Sequence, residues 1–310
     1  MARMTTVGLV AAATALIFAG TAPVPASASQ PPETCAPGGV SALQLADGEV
    51  AVGPEVDPAE EQDYDRWVHQ AVPVAAQQPG VDVDVYIHNF YRTDAQQLTE
   101  QQAFDQVERL NMSYAGRQGG AATRFEFVLK AFENIPVNRA RVEVNSGRGD
   151  RLKADQHVGG RSTLNVYTAD RITYNGERIS GNATPAWRVD DEPQLDGVWL
   201  RRGVMPGVPG GPNYRESGDA LVHEVGHWLG LYHVYRGNCY GEGDHVADTG
   251  RMSRASAARR DCDARDTCGN DDGRADPVRN FMSAGSDDCI DAFTEGQAQR
   301  MSNQWDRYRA

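Results

Sequence analysis

The sequence predicts an α+β fold, and three observations carry that prediction. Residues 81–200 switch between the two-residue period of strands and the 3.6-residue period of helices. A short apolar helix follows, over about residues 217–229. Residues 237–290 then lose periodicity, hold four cysteines and many Asp and Gly, and lead into a last helix. An ordered stretch of that length without secondary structure needs staples or metals.

The chain has 310 residues, 40% hydrophobic and 24% charged. At about 150 residues per domain this length allows two domains, and roughly 75% of the unfolded surface is buried in a chain of this size. Wholesale disorder, collagen and a disulfide miniprotein are excluded on composition. Forty-three acidic against 30 basic residues give a formal charge of −13. Phosphate binding runs on positive surface, so no nucleic-acid partner is expected.

The elements read in order as follows. Arg3 is the only charge in residues 1–28, an apolar run covers Val7 to Gly20, and Ala26-Ser27-Ala28 is a small-x-small cleavage pattern. Residues 1–28 are therefore expected to be a signal peptide and the mature protein to be secreted and extracellular. No later run of 18 apolar residues exists in the sequence, so no membrane association is expected after processing. Residues 29–60 are rich in Pro, Gly, Ala and Glu and read as a pro-segment or flexible lead, which leaves 61–310 as the main domain. Val81, Val83, Val85 and Ile87 alternate as in a half-buried strand. Thr99 and Gln102 have capping-box spacing, and Phe104, Val107, Leu110 and Tyr114 then form a helical stripe. Phe125, Phe127 and Leu129, then Leu164, Val166 and Thr168, then Leu195 to Leu200 read as strands. Residues 201–212 read as a Gly- and Pro-rich loop. Thr294 and Gln297 repeat the capping-box spacing before a helix with Met301, Trp305 and Tyr308 on its apolar face.

The chemistry lies in the run from His223 to His233, His-Glu-Val-Gly-His-Trp-Leu-Gly-Leu-Tyr-His, which fits H-E-x-x-H-x-x-G-x-x-H. Residues four apart on a helix point in nearly the same direction, so His223 and His227 can aim at one point. Gly230 can take a left-handed conformation, end the helix and bring His233 in as a third ligand. Three neutral imidazoles leave one tetrahedral position open, the layout of a catalytic zinc site. Glu224 sits beside the ligands as a general base for the attacking water. A catalytically silent protein that keeps zinc for folding is the competing reading of the same residues.

These residues identify a resemblance. The motif is similar to that of the metzincin zinc peptidases, and further stretches narrow it to their pappalysin-like branch. They are Leu110-Asn111 with Tyr114-Ala115-Gly116, Leu164 to Thr168, the helix motif itself, Asp248-Thr249, Asn280-Phe281-Met282, and Phe293-Thr294 with Gln297. The resemblance implies a secreted zinc endopeptidase acting on proteins or peptides. His223, His227 and His233 would bind Zn²⁺, Glu224 would be the base, and Met282 would be the Met-turn residue beneath the site. It implies a twisted mixed sheet with a backing helix and an active-site helix, then an irregular disulfide-linked C-terminal subdomain ending in a helix. Substrate would pair with a sheet edge, and a monomer is expected. One departure stands out: the family usually carries Tyr two residues after the Met-turn methionine, and here that residue is Ala284. Losing one oxyanion donor costs about 10²–10³ in turnover, so a slower enzyme or a different donor is expected.

Cys239, Cys262, Cys268 and Cys289 allow three pairings, with a Cys₄ zinc site as the alternative. The resemblance favours Cys239–Cys268 and Cys262–Cys289. Cys35 is either an unpaired thiol in a removed segment or, as in related enzymes, a latency switch whose thiolate occupies the zinc until cleavage. Asp244 and Asp248, near Thr249, and a second acidic run at Asp271 and Asp272 do not fit EF-hand spacing. A solvated acidic loop accounts for them equally; the resemblance favours structural Ca²⁺, with Asp244 and Asp248 as ligands. His245 is expected to be exposed.

Overall fold

A computed structural model describes residues 42–44, 50–52 and 79–310, except 214 and 270–272. The signal peptide, Cys35, Asp271 and Asp272 lie outside the described residues. Within the expected pro-segment, β1 (Ala42–Gln44) pairs antiparallel with β2 (Val50–Val52), which runs beside the later strand β8 (Glu177–Ile179).

The main sheet is built from β3 (Val81–Tyr91), β4 (Phe125–Pro136), β6 (Leu164–Ala169), β9 (Gly181–Ala183) and β10 (Val198–Arg201), in the order β4-β3-β6-β10-β9. The first four neighbours run parallel and β9 closes one edge antiparallel to β10. This is the expected mixed sheet. A second sheet has the order β5-β7-β8, with β5 (Arg141–Glu143) and β7 (Arg171–Tyr174) parallel. The small strands β5, β7, β8 and β9 are too short for alternation to be seen in the sequence.

The two-residue period sorts side chains between two cores. Leu164 and Val166 of β6 and Val198 and Leu200 of β10 face one core with α1 (Glu100–Tyr114) and α3 (Asp219–Trp228). Tyr167 and Trp199, one residue over, face the second core with Val142, Ile172 and Ile179. Thr99 caps α1 as its spacing required, through Gln102 N–H to Thr99 Oγ1 at 3.2 Å and Thr99 N–H to Gln102 Oε1 at 3.0 Å. Val107, Leu110 and Tyr114 are buried, but Phe104 is 50% exposed and Ala103 and Gln106 face inward instead. The buried stripe runs through 103, 106–107, 110 and 114, and 104 falls beside it.

Helix α2 (Gly147–Gln156) was not apparent in the sequence because it is polar and buries little besides Gly149 and Lys153. Its start is set by Ser146, whose Oγ accepts the Gly149 N–H at 3.1 Å. Beyond α3 the chain is irregular, as expected, with one helical turn, α4 (Arg254–Ala257), before α5 (Glu295–Tyr308). Cys239–Cys268 and Cys262–Cys289 are disulfide-linked, each with Cα atoms 5.1 Å apart. Met301 and Trp305 pack α5 onto the main core, and Thr294 caps it with Gln297 as the spacing indicated.

Candidate active site

The site is carried by α3, and the chain fixes that helix at both ends. At its start Asp219 is fully buried and takes both Arg109 Nε and Nη2 at 2.6 Å, which ties α3 to α1. An acid in the first turn also suits the helix dipole. In mid-helix the Tyr114 hydroxyl donates to the Val222 carbonyl at 3.0 Å. At its end Gly230 has φ +93°, Leu231 N–H reaches back to Gly226 O and Gly230 N–H to His227 O, both at 2.9 Å. This double return is the Schellman motif, and it turns the chain so that His233 approaches from outside the helix.

The Nε2 atoms of His223, His227 and His233 form a triangle with sides of 3.0, 3.1 and 3.1 Å. Its centre is about 1.8 Å from each nitrogen, so all three reach a common point at the Zn–N distance of about 2.0–2.1 Å. The hydrogen bonding at the far side of two rings shows what such a point must hold. His223 Nδ1–H donates to Phe281 O at 2.7 Å and His227 Nδ1–H donates to Leu231 O at 2.8 Å. A carbonyl only accepts, so both Nε2 atoms carry lone pairs and cannot bond each other. Two lone pairs 3.1 Å apart in a buried site call for a cation between them. Burial holds His227 down to about 4 and His223 and His233 well below the usual range, so all three rings are neutral at pH 7, the form that ligates metal. Among the described residues this is the one cluster of three or more His, Cys, Asp or Glu side chains able to hold a metal.

Glu224 lies on the same helix, 6% exposed, and its Oε2 has no hydrogen-bond partner in the protein. Burial pushes its carboxyl up to about 8, and the positive charge of Arg215 opposes that rise. Gly181, at the start of β9, abuts it closely: a Cβ there would stand 2.5 Å from Glu224 Cγ. Sequence reasoning missed Gly181, because a Ser-Gly-Asn-Ala run says nothing about which side chain it will meet. Beneath the helix, a Cβ on Gly226 would stand 2.5 Å from Met282 Sδ, so the glycine between the two helical histidines makes room for the Met282 side chain. Met282 is fully buried, and its carbonyl accepts the Val234 N–H at 3.2 Å.

Ala284 is buried in the main core and offers no polar atom. Tyr235 was not singled out in the sequence. Its ring stacks on His233 at 4.5 Å and 19°, and its buried hydroxyl has no partner. Arg215, also missed, is buried with its guanidinium 3.8 Å from Asp287.

The acidic pair expected to hold calcium is divided between two tasks. Asp248 accepts Thr294 Oγ1 at 2.7 Å and Gly296 N–H at 2.8 Å, at the start of α5. Asp244 Oδ1 accepts Thr249 Oγ1 at 2.6 Å and Val246 N–H at 3.2 Å, while its Oδ2 is buried without a partner. His245, expected to be exposed, is buried edge-on against Tyr232, with ring centroids 5.3 Å apart, because the disulfide-linked loop folds inward there.

The family model described as pregnancy-associated plasma protein-A peptidase matches residues 207–306, which contain the whole histidine motif and Met282. An extracellular metalloprotease of Pyricularia oryzae is 33% identical over 242 residues, covering 76% of this chain and 79% of that protein. One from Sordaria macrospora is 45% identical over 238 residues, covering 75% and 78%. Among solved structures, mature mirolysin of Tannerella forsythia in complex with a cleaved peptide superposes with a TM-score of 0.61 at 21% identity, covering 74% of this chain and 92% of that one.

Proposed function

Because this chain belongs to the pappalysin-like branch of the metzincin metallopeptidases and is a metalloendopeptidase, we propose that it is a secreted zinc enzyme in which Glu224 is the general base. The single observation that carries this reading is the convergence of three neutral imidazole nitrogens at 3.0–3.1 Å beside a buried carboxylate with an unsatisfied oxygen. A zinc ion held by His223, His227 and His233 supplies a Lewis acid that polarises the scissile carbonyl and acidifies water.

The chain's own groups do the rest. Glu224 takes the proton from the attacking water and passes it to the nitrogen of the leaving amine. Phe281 O and Leu231 O hold the His223 and His227 rings in one tautomer and orientation, so the ligand set is preformed. Substrate backbone pairs with β9. Ser180 O accepts the Arg201 N–H of β10, Thr184 N–H donates to Gly197 O just before β10, and Asn182 stands opposite Trp199 in the same ladder. The alternation of an antiparallel strand therefore turns the backbone groups of Gly181 and Ala183 to the other edge, where β9 has no partner strand among the described residues. Extended peptide added there runs alongside Gly181, the residue that abuts Glu224.

The naming of the relatives as extracellular proteases supports secretion, as does the signal-like sequence of residues 1–28. Calcium is the second metal in this reading, supported by the unsatisfied buried Oδ2 of Asp244. A melting temperature that calcium addition leaves unchanged in the zinc-loaded protein rejects it. Cys35 as a latency ligand is retained as part of the same proposal, and latency that survives Cys35→Ala rejects that.

The deciding experiment is metal analysis of the purified protein together with casein digestion by wild type and Glu224→Ala. We expect one zinc per chain in both, with turnover falling about 10²–10⁴-fold in the variant. Equal inactivity of the two proteins would favour a silent zinc-binding protein.

A further inference from the structure

Strand β9 has two faces. Gly181 meets Glu224 on one, and strand alternation puts Asn182 on the other. On that second face lies a cavity of about 390 Å³, roofed by the small sheet and α2 and lined by Asn182 itself. It has a size typical of ligand pockets and plays no part in the chemistry described above. We propose that it is a substrate subsite that takes a lysine or arginine side chain, from a residue of the bound peptide remote from the scissile bond. This rests on the reading that peptide pairs with the free edge of β9.

The geometry leads to that occupant in two steps. A peptide strand paired with β9 presents its side chains alternately to the two faces. Those on the Glu224 face meet the reacting centre, and those on the Asn182 face meet the cavity. The walls and rim then select among side chains. Val144, Tyr174, Leu195 and Trp199 give the walls apolar and aromatic surface along which an aliphatic stem can lie. Five charged side chains also line the cavity. Lys153 spends its three donors on Leu195 O at 2.8 Å and on Thr184 Oγ1 and Gly197 O, both at 3.2 Å, so it has no hydrogen left for a ligand. Arg188 is held by Asp191 at 2.8 Å. The three carboxylates of the lining, Asp150, Asp191 and Glu192, outnumber these two cations, so the cavity is net negative and suits a long cationic side chain.

The test scans a single Arg, Lys, Ala or Glu through each position of a peptide the wild type cleaves and measures kcat/KM. In parallel, binding of the same labelled peptides to Glu224→Ala is followed by fluorescence anisotropy. We expect one position, separated from the scissile bond, where Arg or Lys exceeds Ala by about tenfold, equivalent to about 1.4 kcal/mol. In Asp150→Asn/Glu192→Gln that advantage should fall to within about twofold, with the Ala peptide cleaved as before. Glu192→Lys should turn the preference at that position toward Glu. No basic preference in either assay, or one that survives the double variant, overturns the subsite. Basic preference in binding by Glu224→Ala, with a wild type that cleaves nothing, upholds the cavity and overturns the peptidase reading instead.

Discussion

Gly181 and Glu224 are packed so closely that a methyl group on the glycine would stand 2.8 Å from Glu224 Oε1 and 2.5 Å from its Cγ. Gly181 does not have a left-handed backbone, so its lack of a side chain is required by this contact and not by conformation. Gly181→Ala should push the carboxylate off its line to the substrate. Displacements of about 1 Å near a reacting centre cost on the order of 10² in rate. We expect kcat to fall by that order while zinc content, measured by atomic absorption, stays at one per chain. A variant with wild-type kcat would show that Glu224 has room to move.

The penultimate residue locks the end of the active-site helix. Arg309 is fully buried, donates to Asp196 through Nη1 at 2.9 Å and Nη2 at 3.2 Å, and to Trp228 O through Nε at 2.9 Å. Trp228 Nε1 donates to the same carboxylate, with both oxygens at 3.2 Å. Removing one partner strands a buried charge, which costs about 3–5 kcal/mol. Arg309→Met, read by denaturant unfolding, should lose stability in that range. Asp196→Leu/Arg309→Met should lose less than Arg309→Met alone; an additive loss would show that the two charges are not coupled.

The parts of the site that were legible in the sequence are those encoded by short-range spacing. His223, His227, Gly230 and His233 lie within eleven residues, and helix geometry with one left-handed glycine converts that spacing into convergence. The capping boxes at Thr99 and Thr294 are equally local. What the sequence hid is set by tertiary contact. Gly181 meets Glu224 from a three-residue strand, Arg309 reaches Asp196 across 113 positions, and α2 has no apolar stripe to announce it. Asp244 and Asp248 look like a pair four residues apart, yet the fold sends one to a turn and the other to the start of α5. The disulfide pairing came from resemblance, since four cysteines alone leave three pairings open.

Tyr235 carries a buried hydroxyl without a partner, while its ring stacks on His233. Leaving a buried hydroxyl unbonded costs about 1–3 kcal/mol. Tyr235→Phe keeps the stacking and removes the orphan oxygen, so it should stabilise the protein by roughly 1 kcal/mol. A zinc-loaded variant that unfolds at higher denaturant concentration than wild type is the expected result. Lower stability would mean that the hydroxyl has found a water or ligand to bond.

Lys153 gives the fold a pH dependence with a definite sign. Burial lowers its ammonium from 10.5 to about 8, against the pull of Asp196 and Asp150. Between those values the unfolded chain holds a proton that the folded chain has released. Stability from this group therefore rises with pH from about 8 to about 10.5. Below pH 8 both states are charged and the full cost of burying the ammonium, about 3 kcal/mol, is present. Lys153→Met removes that titration. It also strands the carbonyls of Leu195 and Gly197, so its absolute stability is not the readout. The stability of wild type minus that of Lys153→Met, measured by urea unfolding from pH 7.5 to 10.5, should climb by up to about 1.4 kcal/mol per pH unit. A flat or falling difference would mean that Lys153 stays charged in the folded protein throughout, held by its neighbouring carboxylates.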